Sequence, residues 1–250
     1  MTDRVLVPGL SQAVPSGEVT VTGNAGHHLA RVTRVRPGDR VVLFDGAGHE
    51  CDGAVTDSHG DTVRLSVGPL RAGVGADRGQ VTWLQGIPKG DKLETIVRQA
   101  TELGVSAVWP VFTLRSVPQP RGAREGTRTE RLRRVAEEAA RQCGRADLPD
   151  VADARTLDEA LDALAGTPTV LRLVAWEEAT RPLTSALAGP LGPCAVLAGP
   201  EGGLGRDEVG RAMDRGFIAV SLGPRILRTE TVAPALLGAL AVLRGDLTAR

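Results

Sequence analysis

Two short stretches carry the residue types from which a reactive site could be built: AVLAGPEGGLGRDEV over residues 195–209 and SLGPRILRTET over 221–231. The first sets glycines at 199, 202, 203 and 205 between an apolar run and a charged segment. Glycine lets a backbone approach a ligand closely, and amides at a helix start attract negative charge. No Gly-Lys-Ser/Thr follows, so this is not a Walker loop, and GPEGGLG does not fit the G-x-G-x-x-G of dinucleotide turns. Pro200 and Glu201 interrupt the smooth run of amides a pyrophosphate needs, and the carboxylate repels phosphate. A cofactor without phosphates, or one bearing positive charge, fits better, although a plain helix-entry turn would explain this loop taken alone. The second stretch places Arg225, Arg228, Thr229, Glu230 and Thr231 between an apolar strand candidate and an apolar segment that runs to Leu243. A glutamate beside an arginine can accept a proton while the guanidinium faces a developing negative charge. The same pair can also merely hold a loop. Two special loops at consecutive strand ends point to opposite walls of one pocket.

The elements that must carry these loops alternate. VTWLQGI, VSAVWPVF, a short run at 148–151, TPTVLRLVA, PCAVLAG and FIAVSLG read as strands. Between them DKLETIVRQATELG, with Leu93, Ile96, Val97 and Ala100 on one face, RTERLRRVAEEAARQCGR, 157–164 and RDEVGRAMDRG read as helices. Such alternation predicts a parallel α/β sheet with ligands at the carboxyl ends of its strands, and by itself an unknotted doubly wound one. Residues 1–72 read as a small β-rich unit. EVTVTG, RVVLFDGAG and DTVRLSVGPL are its strands, and Leu29, Val32 and Val35 fall at helical spacing with Arg31 and Arg34 on another face. RAGVGADRG has few bulky apolar groups, so a linker is expected at 73–79 and a second domain over 80–250. The stretch from about Pro118 to Thr129 reads as loosely ordered.

Composition narrows the class. The 250 residues are 42% hydrophobic and 24% charged with zero formal net charge, ordinary for a globular chain and unlike a general polyanion binder. Between Pro88 and Arg145, however, twelve basic residues face seven acidic ones, an excess of five that suits a local phosphate contact or a solvated helical face. Tyr is absent and Phe scarce, so any base-stacking surface is small or built from arginine. Cys51, Cys143 and Cys194 stand far apart, which argues against structural zinc and a disulfide framework; Cys143 reads as core. No basic n-region with an apolar core opens the chain, and no segment reaches the ~18 apolar residues of a membrane span. The expectation is a cytoplasmic protein without a metal.

GPEGG followed by LGPRILRTET resembles the signature of the SPOUT-class RNA methyltransferases. The match is to the ribosomal RNA small subunit methyltransferase E family, and it runs along nearly the whole chain. HLARVTRVRPGD and LFDG carry it in the first domain; KGDKLETIVRQATELGV, Pro110 to Ser116 and EAARQCGR carry it in the second. Thr33 stands where a leucine is usual, and Val232 and Pro234 interrupt a Thr-Glu-Thr-Ala-Ala run; Pro234 is tolerable if Thr231 caps the helix. The resemblance implies an N-terminal PUA-like β-barrel, a C-terminal trefoil-knotted α/β methyltransferase domain, and a homodimer. It implies S-adenosylmethionine bound near Leu197, Ala198, Gly199, Pro200, Gly202 and Gly203, and near Ser221, Leu222, Gly223, Ile226 and Leu227. The implied reaction is methylation of uridine N3 in 16S rRNA within the 30S subunit, with Glu201, Arg228 and Glu230 as catalytic candidates. Arg31, Arg34, Arg115, Gln142 and Arg145 are the implied RNA contacts, while His28 beside an apolar face reads as structural. Two rivals stand: a non-catalytic RNA-binding protein with the same fold, and a doubly wound nucleotide-dependent enzyme.

Overall fold

A computed structural model of the chain describes residues 3–75, 80–116, 123–166, 171–188 and 192–247. They fall into two compact units, Met1–Asp77 with Glu137–Leu148 and Arg78–Ala136 with Pro149–Arg250. Residues 76–79 of the expected linker and 118–122 of the expected loose stretch lie outside the described residues.

In the first unit, in chain order, stand β1 (Asp3–Leu6), α1 (Leu10–Ala13), β2 (Glu18–Val21), α2 (Gly23–His27), β3 (Arg40–Phe44), β4 (His49–His59), β5 (Thr62–Val67) and β6 (Arg71–Ala72). The strands form one sheet in the order β1-β3-β4-β5-β2, with β6 against β4. Val19, Val21, Val41, Leu43, Val55, Val63 and Leu65 pack its core. Neither β1 nor β4 is legible beforehand: β4 carries His49, Glu50, Asp52, Asp57 and His59, which break the apolar alternation. The helix expected around Leu29 is also different. After α2 the chain widens into a π-helical turn, His28–Thr33, and ends at Arg34 with φ 59°. The Val35 N–H then bonds back to the Leu29 carbonyl at 3.0 Å. This shift of phase buries Leu29 and Val35 but turns Val32 out, 63% exposed. Residues 73 and 74 are fastened, not free: Gly73 N–H donates to Gly48 O at 2.8 Å, and Ala146 N–H to Val74 O at 2.9 Å.

The second unit continues with β7 (Val81–Gly86), α3 (Lys92–Glu102), β8 (Ala107–Phe112), α4 (Ala123–Cys143, whose last turns belong to the first unit), β9 (Asp150–Val151), β10 (Arg155–Thr156) and α5 (Leu157–Ala165). There follow β11 (Leu171–Ala175), α6 (Leu183–Ala186), β12 (Cys194–Ala198), α7 (Arg206–Asp214), β13 (Ile218–Val220) and α8 (Thr229–Leu243). The strands run parallel in the order β10-β8-β7-β12-β11-β13, with β9 on β8. Thus β12 inserts between β7 and β11, both of which precede it in the chain. Successive side chains leave opposite faces of a strand. Trp83, Leu173 and Val196 therefore pack with α3, α4 and α8, while Leu84, Val174 and Leu197 pack with α5 and α7. Burial on both faces is why these strands read as unbroken apolar runs.

The helix expected from Thr231 begins two residues earlier. The Arg228 carbonyl accepts Thr231 N–H at 2.8 Å and Val232 N–H at 3.2 Å, so Arg228 caps α8 through its backbone. Pro234 then lies inside the helix and leaves the Glu230 carbonyl without its helical donor. The stretch 123–129, expected to be loose, is the first part of α4. Among the described residues no helix is long and apolar enough to cross a membrane.

Candidate active site

The carboxyl ends of β11, β12 and β13, neighbours in the sheet, open on a cavity of about 710 Å³. That is the size of a small-molecule site, at the end of the sheet where α/β proteins place their ligands. Its walls are the turn 199–203 after β12, the loop 221–228 after β13, and Trp176 and Glu177 after β11. Lys92 at the start of α3 and the first turn of α8 close it.

Both loops are set by backbone geometry. Gly203 N–H donates to Pro200 O at 2.9 Å, and Gly203 sits at φ +73°, where a Cβ would lie 2.4 Å from Glu177 Oε1. A Cβ on Gly199 would fall 2.9 Å from the Gly203 carbonyl carbon. Only glycine fits this fold of the chain. The other wall is pinned at its start: Ser221 N–H donates to Arg181 O at 2.8 Å, and Leu183 N–H to Ser221 O at 3.1 Å. Below the turn, Glu208 is buried and joins two loops, accepting Gly205 N–H at 2.8 Å and Leu114 N–H at 2.7 Å.

The charged groups divide into held and unheld. Glu201 accepts the Lys89 N–H at 3.1 and 3.2 Å and pairs with Lys92 Nζ at 2.9 Å. Burial alone would raise the Glu201 carboxyl, but the Lys92 ammonium and the N–H groups of Glu201 and Lys89 hold it below its ordinary range. Glu230 Oε2 is 3.9 Å from Lys92 Nζ, is buried, and has no hydrogen-bond partner among the described residues. Arg228 is exposed on the cavity rim, and its guanidinium makes no bond or ion pair among the described residues.

Glu201, Arg228 and Glu230 all line this cavity, as do Ala198, Gly199, Pro200, Gly202, Gly203, Ser221, Leu222, Gly223, Ile226 and Leu227. Leu197 does not: its side chain is fully buried in the core beneath. Arg115 comes to the same turn, donating from Nη1 to the Gly202 carbonyl. Arg31, Arg34 and Gln142 are exposed on the first unit. Arg31 Nε is 3.2 Å from Asp61 Oδ1. Arg145 corrects the expectation of an RNA-facing cation, since it is 5% exposed and grips Asp147 through Nε at 3.0 Å and Nη2 at 2.6 Å. His28 pairs with Arg141 at 2.8 Å, and burial together with that guanidinium lowers its pKa, which suits a neutral, structural ring. Cys143 is half-buried, short of a core residue. Lys92, Trp176 and Glu177 escape the sequence reading. The usable signal is position, because residues just after parallel strands share one edge of the sheet. Among the described residues no group of three His, Cys, Asp or Glu side chains is placed to hold a metal ion.

Comparison with known proteins places this geometry. Residues 76–241 match the model of an RNA methyltransferase domain, and residues 21–67 that of an RNA methyltransferase PUA domain. The chain is 35% identical over 235 residues to the ribosomal RNA small subunit methyltransferase E of Mycobacterium bovis, covering 89% of this chain and 86% of the relative. It is 32% identical to that of Bacillus subtilis, covering 91% and 92%. A crystal structure of a ribosomal RNA small subunit methyltransferase E from Neisseria gonorrhoeae, bound to S-adenosyl methionine, superposes with a TM-score of 0.87. It is 30% identical and covers 99% of this chain and 100% of its own.

Proposed function

The chain belongs to the ribosomal RNA small subunit methyltransferase E family, and from that premise we propose that it methylates N3 of a uridine in 16S rRNA, acting on the assembled 30S subunit in the cytoplasm. The observation that carries this is the cavity shared by the 199–203 turn and the 221–228 loop. Its chemistry fits S-adenosylmethionine. The volume suits one such molecule, Glu177, Glu201 and Glu230 line the cavity, and Glu230 presents a buried oxygen with no hydrogen-bond partner among the described residues. Half-buried Leu222, Leu227 and Val232 offer apolar contact for the adenosine, and the backbone of Gly199 to Gly203 offers hydrogen-bonding groups.

S-adenosylmethionine supplies a methyl group on a sulfonium. The protein's own task is to make N3, a weakly acidic ring N–H, nucleophilic and to orient it. Arg228 is assigned to face the negative charge that develops on the ring, and Glu230 to receive the proton or steady the sulfonium. Glu201 is assigned to the wall that both must work against. Arg31, Arg34, Arg115 and Gln142 are the proposed RNA contacts. Domain bounds of 1–72 and 80–250, a closed PUA-like barrel and a trefoil knot belong to the same proposal. The insertion of β12 between two earlier strands supports the knot. A homodimer through α8 is supported by Val242 and Leu243, 63% and 54% exposed near its end.

The test is methyl transfer to 30S subunits from a strain lacking the modification, with the product base identified by mass spectrometry. A 3-methyluridine product is expected, and a different methylated base would overturn the assignment. Calorimetry showing binding of NAD and none of S-adenosylmethionine would overturn the cofactor as well.

A further inference from the structure

Gln85, the penultimate residue of β7, is fully buried where packing alone would favour an apolar side chain. Its Oε1 accepts the Trp83 indole N–H at 2.9 Å. Its Nε2 lies 3.0 Å from Gly86 O, 3.1 Å from Gly199 O and 3.1 Å from Thr229 Oγ1. The Thr229 hydroxyl, 4% exposed, donates in turn to Gly199 O at 2.8 Å. A buried amide is tolerated only when its polar atoms are bonded, and here both ends are. What it bonds is informative. Gly199 opens the glycine-rich turn, 114 residues from Gln85, and Thr229 opens α8, 144 residues away and next to Glu230.

We infer that Gln85 and Thr229 are positioning residues: a buried cross-tie that sets the gap between the two walls of the cavity and places the first turn of α8, and with it Glu230. The inference rests on the methyl-donor site proposed above. A tie of this kind acts through groups that touch the ligand, so its loss appears in binding and in orientation.

Thr229→Val keeps the branched shape and deletes the hydroxyl, Thr229→Ser keeps the hydroxyl, and Thr229→Ala serves if packing rejects the valine methyl. Each is read by calorimetry with S-adenosylmethionine, by single-turnover methyl transfer to 30S subunits at saturating cofactor, and by melting without ligand. Loss of one such bond should weaken cofactor binding by about tenfold. The saturated transfer rate should fall as well in protein that remains folded at the assay temperature, while Thr229→Ser stays close to wild type. A purely structural bond would lower the melting temperature and leave affinity and rate of the folded protein unchanged, and that result overturns the inference. Failure of the wild type to bind S-adenosylmethionine would overturn the methyl-donor site itself. Wild-type binding with an unaffected Thr229→Val overturns the cross-tie alone.

Discussion

Replacing Arg228 with alanine should leave the fold intact and remove most of the turnover. The side chain is exposed, without a partner among the described residues, and α8 is capped by the Arg228 carbonyl rather than by the guanidinium. A surface change of that kind shifts stability by about 0.5 kcal/mol or less. Its sign is informative. A cation at a helix N-terminus opposes the macrodipole, typically by about 0.3–1 kcal/mol, so Arg228→Ala should melt at the same temperature as wild type or slightly higher. An arginine kept there against the dipole needs a reason outside stability. Removal of one preorganised donor to a developing negative charge costs about 10²–10³ in kcat, or about 2.7–4 kcal/mol. The assay is methyl transfer to unmodified 30S subunits at saturating cofactor, alongside melting and S-adenosylmethionine calorimetry. Affinity for the cofactor should change little, and Arg228→Lys, which keeps the charge but not the planar fork, should fall between. A folded Arg228→Ala protein with near-normal turnover would refute the reasoning and remove Arg228 from the chemistry.

Four further outcomes follow from the structure. Glu201 has a depressed folded-state pKa, so its contribution to stability is present above about pH 4.5 and is lost as pH falls through the lower folded value. Lys92→Met should therefore cost about 0.5–1 kcal/mol at neutral pH, discounted for a pair 29% and 39% exposed, and the gap from wild type should close in acid; denaturation measured across that range checks it. Gly203→Ala forces a Cβ into the left-handed region, at about 1–2 kcal/mol, and pushes against Glu177, so melting should fall modestly and calorimetric cofactor binding sharply. Arg145→Ala should destabilise the first unit by about 3 kcal/mol, because it strands Asp147 beside a buried site, whereas Arg31→Ala should leave melting unchanged and lower the salt slope of RNA binding by about one.

Much of the second unit is legible in the sequence because parallel strands buried on both faces announce themselves. Leu84 and Leu197 on one side, Trp83 and Val196 on the other, leave no polar face to confuse the pattern. The cavity is legible for a related reason, since GPEGG and RILRTET follow two such strands and carry residues that packing does not ask for. The first unit is harder. β4 shows no clean apolar alternation because its outward face carries Asp52, Asp57 and His59, and the π-turn at His28–Thr33 breaks the helical spacing that Leu29, Val32 and Val35 share. Arg145 shows a different limit: sequence gives a cation but not its partner, and Asp147 two residues on is what turns it inward. Gln85 is invisible for the opposite reason. Its bonds reach Gly199 and Thr229, and nothing local in VTWLQGI marks them.

The two cavity carboxylates are not equivalent, and the difference follows from their partners. A proton acceptor needs a free lone pair and a pKa not far below the working pH. Glu201 is already engaged: both oxygens face the Lys89 N–H, one also holds the Lys92 ammonium, and those donors hold its carboxyl below the ordinary range. It behaves as a fixed anion that staples the segment entering α3 to the glycine-rich turn. Glu230 shares the same lysine at a longer 3.9 Å and keeps Oε2 without a hydrogen bond, on the helix turn that Thr229 and Gln85 lock in place. A buried carboxylate oxygen without a hydrogen bond is unfavourable unless something donates to it, and Lys92 Nζ stands 3.9 Å away, beyond hydrogen-bond reach. The division of labour then runs through Lys92: by neutralising Glu201 it keeps two carboxylates close together without leaving both charges unopposed. In the mechanism proposed above, Glu201 is the wall and Glu230 the carboxylate that meets the reaction.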